Sequence, residues 1–152
     1  MGQAGFTFVE SVVVFVLVGI VLTVSVPSYR RYASDQRTLA AARTLASDLR
    51  VAQQEAVTRR ADITVTFSSA EAACAGQPAY AAAQGVAVFK QYCFPADVDW
   101  AGLPGALTWE PTGIPQGIPG GLTLTVRSVL SLKTYNVQVA EQTGAITDDT
   151  RP

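Results

Sequence analysis

Residues 6–26 read FTFVESVVVFVLVGIVLTVSV, an apolar run of 21 residues broken by one charge, Glu10. That length matches the ~20 residues that cross the hydrocarbon core of a bilayer as a helix. Valine is a poor helix former in water. In lipid, however, a lone segment can satisfy its backbone polar groups only as a helix. The run also accounts for the composition. The chain of 152 residues is 49% hydrophobic and 15% charged, against ~25% charged in ordinary soluble domains. One very apolar segment is joined to a chain of normal polarity, and the length predicts a single domain.

A cleaved secretory signal competes for this segment. It requires a basic start, a shorter apolar run and a small-residue cleavage site. Here no Lys or Arg precedes the run, Pro27 stands where cleavage would fall, and helical periodicity continues beyond it. A membrane-anchored helix is the better reading. Glu10 is then costly, because an acid within an apolar segment must be paired or near the headgroups. It is the fifth residue counted from Phe6, close to an interface, and no Lys or Arg stands within a helical turn or two of it. The physical expectation is a cation from another chain.

The chain contains no histidine. That removes Ser-His-Asp and Cys-His nucleophiles, histidine bases and nearly all catalytic zinc sites. The close acid pairs Asp97/Asp99 and Asp148/Asp149 read as solvated turn residues. No enzymatic activity, cofactor or metal is expected. Cys74 and Cys93 do not form a C-x-x-C pair, which argues against thiol redox catalysis or a thiolate metal site. Outside the cytoplasm the natural reading is one disulfide, closing a loop of roughly 20 residues and worth about 3 kcal/mol. Two independent buried thiols are the alternative.

Net charge is −1 but unevenly distributed. Residues 30–60 carry seven arginines (30, 31, 37, 43, 50, 59 and 60) against Asp35, Asp48 and Glu55, a net of +4. Residues 61–152 carry four basic and eight acidic groups, a net of −4. A basic helix is ordinarily a solvated face; beside a membrane segment it also attracts anionic headgroups.

The residues Gly5-Phe6-Thr7-Phe8-Val9-Glu10, followed by the apolar run, resemble the amino-terminal signature of type IV pilins and type II secretion pseudopilins. The resemblance implies a leader over residues 1–5, cut between Gly5 and Phe6 by a prepilin peptidase, and N-methylation of Phe6. It implies that Glu10 pairs with the terminal amine of a neighbouring subunit and so sets assembly register, which supplies the missing cation. Gly19 and Pro27 fall where many members carry a helix-loosening glycine and a kinking proline. The implied partners are other pilin or pseudopilin subunits, an inner-membrane assembly platform, and membrane lipid before assembly. The implied location is the bacterial inner membrane, single-pass, with the C-terminal domain extracytoplasmic, and a pilus or pseudopilus after assembly. The leader Met1-Gly2-Gln3-Ala4-Gly5 lacks the basic residues usual in the family, so a longer, truncated leader is expected.

Residues 28–60 continue as the amphipathic second half of the helix after the span at 6–27. Leu39, Ala42, Ala46, Leu49, Ala52 and Ala56 recur every three or four residues, and Leu45 widens the stripe, so a closely packed partner is expected. Arg31/Asp35 and Glu55/Arg59 are opposite-charge pairs at i,i+4. Pro27 predicts a kink. The helix should end near Arg60, roughly 80 Å from Phe6 at 1.5 Å per residue.

After the helix the period changes to two. Residues 63–67 (ITVTF) predict a strand, 70–84 an alanine-rich loop with or without a short helix in it, and 85–94 a second strand containing Cys93. Residues 95–121 hold six glycines and five prolines and should be mostly turns, with a short strand at 106–109. Residues 122–126 and 135–139 form a hairpin, and 144–147 add a last strand. The fold class is α+β: a long N-terminal helix, its first half transmembrane and its second amphipathic, packed on an antiparallel sheet domain at 61–152, the pilin fold.

The stretches 45–60 (LASDLRVAQQEAVTRR) and 108–113 (TWEPTG), with a late Val-x-Val then Gly, are similar to the pseudopilin H and FimT-like minor pilins. That implies a low-abundance subunit at or near a filament tip. The alternative is a binding module on the same anchor, either a DNA receptor for natural transformation or a tip adhesin, with Trp100, Trp109 and the loops at 101–121 as its surface. The resemblance to FimT-like proteins, some of which bind DNA through a late Gly-Arg-x-Arg motif, sets that motif against Gly144-Ala145-Ile146-Thr147 here, which has no arginine. Late cations are limited to Arg127, Lys133 and Arg151, too few on a net-acidic domain for phosphate neutralisation. DNA is therefore not expected as a partner, and both tryptophans read as core.

Overall fold

The computed structural model describes residues 8–102 and 105–149. Helix α1 (Phe8–Arg59) runs through Gly19 and Pro27. Pro27 has no N–H to give the carbonyl one turn earlier, and in that turn the Thr23 hydroxyl donates to the Gly19 carbonyl at 2.6 Å. The chain divides into two compact units, residues 1–33 and 34–152. In the first, the large apolar side chains from Phe8 to Leu22, and Val26, stand exposed, Phe8 by 84% and Phe15 by 75%.

In the second unit the small residues foreseen on α1 form one wall of the core. Ala41, Ala42, Leu45, Ala46, Leu49, Ala52 and Ala56 are all at most 1% exposed. Leu39 is only half-buried; the stripe instead runs back through Thr38 and Ser34, both fully buried. Arg60 ends the helix with φ +51, and Ala61 N–H reaches back to the Ala56 carbonyl at 3.3 Å. This is a Schellman-type stop built without the customary glycine.

Among the described residues nine strands follow, in two antiparallel sheets. The first takes the order β3-β2-β1-β5-β6, from β1 (Ile63–Glu71), β2 (Gln77–Gln84), β3 (Ala87–Cys93), β5 (Leu107–Trp109) and β6 (Pro115–Gln116). The second takes β4-β7-β8-β9, from β4 (Val98–Trp100), β7 (Leu122–Ser128), β8 (Thr134–Val139) and β9 (Ile146–Asp148). Alternation sets the faces: Ile63 and Val65 of β1, Leu124 and Val126 of β7, and Val137 and Val139 of β8 point into one core with the helix wall.

Two expectations are corrected. The alanine-rich stretch is not a loop: after a single 3-10 turn (Ala72–Cys74) it becomes β2, paired with β1 on one side and β3 on the other. Its alanines have low strand propensity, and pairing on both edges overrides that preference. The Gly/Pro-rich region also contains β4 and β6 besides the expected β5.

Candidate functional site

Gly5 and Phe6, the expected cleavage and methylation positions, lie outside the described residues, as does the leader 1–5. Glu10 is exposed in the first turn of α1. Around it stands the apolar surface of the first unit, whose most apolar 18-residue window has a mean hydropathy of 2.6 and no buried share. Water does not tolerate contiguous apolar area of that size; lipid or other protein must cover it. The run ends in an aromatic and basic band, with Tyr29 72% and Tyr32 62% exposed around Arg30 and Arg31. That is the composition favoured at a headgroup layer. Gly19 has open space around it, so no contact within the chain demands its missing side chain.

In the second unit, polar ties hold α1 to both sheets. Ser34 and Ser128 share a buried hydroxyl hydrogen bond of 2.9 Å, and Asp35, set against Arg31 in the sequence, accepts from the Ser131 hydroxyl. Arg37 reaches Asp97 at 3.1 Å. Arg50 donates to the Ile146 carbonyl at 3.0 Å and faces Asp148 at 3.4 Å. Arg59 pairs with Glu55, as its spacing predicts, and lies over the Phe89 ring. The basic helix is thus in good part the counter-charge of the acidic sheets. Asp97 and Asp148 serve these pairs, while Asp99 caps the Trp100 N–H at 2.7 Å and faces Arg127 at 3.7 Å.

Asp48 joins the helix to β2 and β3 of the first sheet. It accepts from the Tyr80 hydroxyl at 2.7 Å and pairs with Lys90 at 3.3 Å. Burial, then the hydrogen bond and charge of Asp48, and then neighbouring Tyr92, push the Tyr80 phenol far above its ordinary value. Cys74 and Cys93 are joined in a disulfide, 19 residues apart in sequence with Cα atoms 5.5 Å apart. The bond ties the 3-10 turn before β2 to the end of β3, as the first of the two cysteine readings required. Trp100 and Trp109 are core residues, 5% and 0% exposed, not a binding surface.

Gly144 has a packing role that the sequence did not show. At φ +63, an added Cβ would lie 2.5 Å from the Gly113 carbonyl and 2.9 Å from the Trp109 ring. Gln53 of α1 donates to that same carbonyl at 2.8 Å. The 108–113 stretch and the late glycine thus meet the end of the helix. Sequence reasoning also missed Ser34, Thr38 and Ser128. For Ser34 and Thr38 the signal was the i,i+4 continuation of the stripe in small polar residues; Ser128, at the end of β7, had none.

A long helix with an apolar N-terminal run, packed over its later part on two antiparallel sheets, defines a pilin-like protein. A family model described as Type II transport protein GspH matches residues 41–143, and the chain belongs to that family. Among solved structures, the type IV minor pilin FimU of Pseudomonas aeruginosa PAO1 matches with a TM-score of 0.60 at 17% identity, over 78% of this chain and 92% of that one. The minor pseudopilin EpsH of the Vibrio cholerae Type 2 Secretion System matches with a TM-score of 0.52 at 13% identity, over 72% and 93% of the two chains. No curated protein sequence matches the chain.

Proposed function

We propose that this chain is a minor pilin or pseudopilin subunit that a prepilin peptidase cuts between Gly5 and Phe6. Phe6 is then N-methylated. The subunit waits in the inner membrane with residues 61–152 outside the cytoplasm. An assembly platform builds it, with other pilin or pseudopilin subunits, into a type IV pilus or type II secretion pseudopilus at or near the tip. Its role is structural rather than catalytic. The observation that carries this reading is the wholly exposed apolar helix joined to a domain of the GspH family. Glu10 sets register against a neighbour's terminal amine. Gly19 and Pro27 are the points at which the helix bends or loosens on leaving the bilayer.

DNA is not the partner proposed. The glycine at which an arginine motif would begin is packed against Gly113 and Trp109, and Arg127 faces Asp99. The test combines two readouts. Mass spectrometry of the mature protein should find methylated Phe6 at the N-terminus. Glu10→Ala should leave the subunit folded in the membrane fraction but absent from sheared filaments. Normal incorporation of that variant refutes the register role, and an uncut terminus refutes the processing.

A further inference from the structure

β3 ends the first sheet. β2 pairs with it on one side, and among the described residues no strand pairs with the other. It has seven residues, whereas the other sheet edges, β4, β6 and β9, have three, two and three. An open edge is a row of N–H and C=O groups that another strand can take up.

One bond fixes where those groups point. Phe94 N–H donates to the Pro78 carbonyl at 2.8 Å. Backbone groups alternate in direction along an antiparallel strand, so those of Tyr92 also face β2, and those of Gln91 and Cys93 face outward. The usual guards of an edge are missing here. Residues 90–93 contain no proline. Lys90 turns toward the helix, its Nζ 3.3 Å from Asp48. The register shift of the β2–β3 pair lies opposite residues 88–90, which leaves Gln91 to Cys93 regular.

A row of aromatic rings runs to the same place. Phe67, Tyr80 and Tyr92 are successive cross-strand partners on β1, β2 and β3. Their ring centroids lie 6.5 Å apart for the first pair and 5.4 Å for the second. Tyr92 is the last of the row and is only half-buried. Another aromatic on a next strand would extend the row favourably.

A second copy of the strand supplies that ring. Laid antiparallel about a two-fold axis at Tyr92, it sets Gln91 opposite the copy's Cys93 and Cys93 opposite the copy's Gln91. These are the outward-facing residues, so each pair can exchange both of its N–H···O bonds. Tyr92 falls opposite Tyr92. Lys90 falls opposite Phe94, which keeps the two lysines roughly 13 Å apart along the strands and avoids a like-charge contact.

We propose that β3 pairs with β3 of a second copy of this chain, antiparallel about Tyr92, and joins two first sheets into one across a two-fold dimer. Such an isologous contact closes on itself, so it cannot propagate along a filament and holds subunits in pairs outside one. The pairing uses only residues of the second unit and does not depend on the function proposed above.

The test uses the full-length chain in detergent. Sedimentation follows its association, and photo-oxidation joins tyrosines that touch. Tyr92 is the one tyrosine between Gln91 and Arg127, so the reduced tryptic peptide 91–127 joined to itself reports the contact. Wild type should form a concentration-dependent dimer that yields this linked peptide. Tyr92→Phe should sediment like wild type without the link. Gln91→Pro removes an outward N–H from each copy and no bond to β2, and should weaken association about tenfold or more. Gln91→Lys leaves the backbone intact, sets like charges at diagonal positions across the axis, and should also weaken the dimer; it decides the matter if Gln91→Pro melts early. Val86→Lys, in the β2–β3 turn, should change nothing. A chain that stays monomeric up to ~1 mM overturns the proposal. So does a dimer that is linked through Tyr29 or Tyr32 and indifferent to both Gln91 variants.

Discussion

Gly144 shows how much one position can hold. A methyl group there would meet backbone and a tryptophan ring, neither of which can rotate away, in addition to the left-handed φ. Gly144→Ala should therefore cost about 2–4 kcal/mol, measured by denaturant unfolding of the chain in detergent; a loss below that of a surface substitution would contradict the packing. Tyr80 carries a second prediction. Tyr80→Phe removes its bond to Asp48 and should cost about 1–2 kcal/mol. Because the folded phenol is raised, the unfolded chain releases this proton first. Stability from Tyr80 is thus complete below the unfolded value near pH ~10 and declines as pH rises beyond it. A melting curve repeated across alkaline pH should fall more steeply in wild type than in Tyr80→Phe, and equal slopes would refute the linkage.

Among the elements, the β1–β2–β3 group depends most on a covalent tie. β3 is an edge strand with mostly exposed side chains, and its far end is fastened by Cys74–Cys93. Replacing both cysteines by serine should cost about 3 kcal/mol in the chain-entropy account. Hydrogen exchange should locate the loss, with β2 and β3 amides exchanging faster than those of β7 and β8. Uniform acceleration of both sheets would show that the bond stabilises the whole domain and not this group. α1 behaves differently along its length. From residue 34 onward the buried alanines are held by tertiary packing, whereas before residue 34 the described valines 9, 12–14, 16, 18, 21 and 26 stand exposed.

At the scale of the molecule, residues 34–152 contain the whole core cluster and the helix wall that closes it. A chain starting at Ser34 should fold as a soluble domain with the disulfide intact and a cooperative thermal transition. Aggregation or a non-cooperative melt would show that residues 1–33 contribute to the fold as well as to anchoring. Most of the helix-to-sheet ion pairs are partly exposed, and each should contribute at most about 1 kcal/mol. The core, not the charge complementarity, is expected to set the stability of this fragment.

The apolar N-terminal helix, the helix stripe, the cysteine pair as a candidate disulfide and the alternating strands were legible because each follows from a local rule. Apolar length decides a span, period decides a face, and small residues announce close packing. β2 was not legible, since alanine carries no strand preference and only its neighbours on both edges make it a strand. Nor were the roles of Ser34, Gln53 and Gly144, which depend on partners 31 to 94 residues away in sequence. Composition and period fix which surfaces must be buried. Only the packed chain decides which distant groups meet there, because those contacts arise from the closing of the sheets on the helix and not from any segment's own preference.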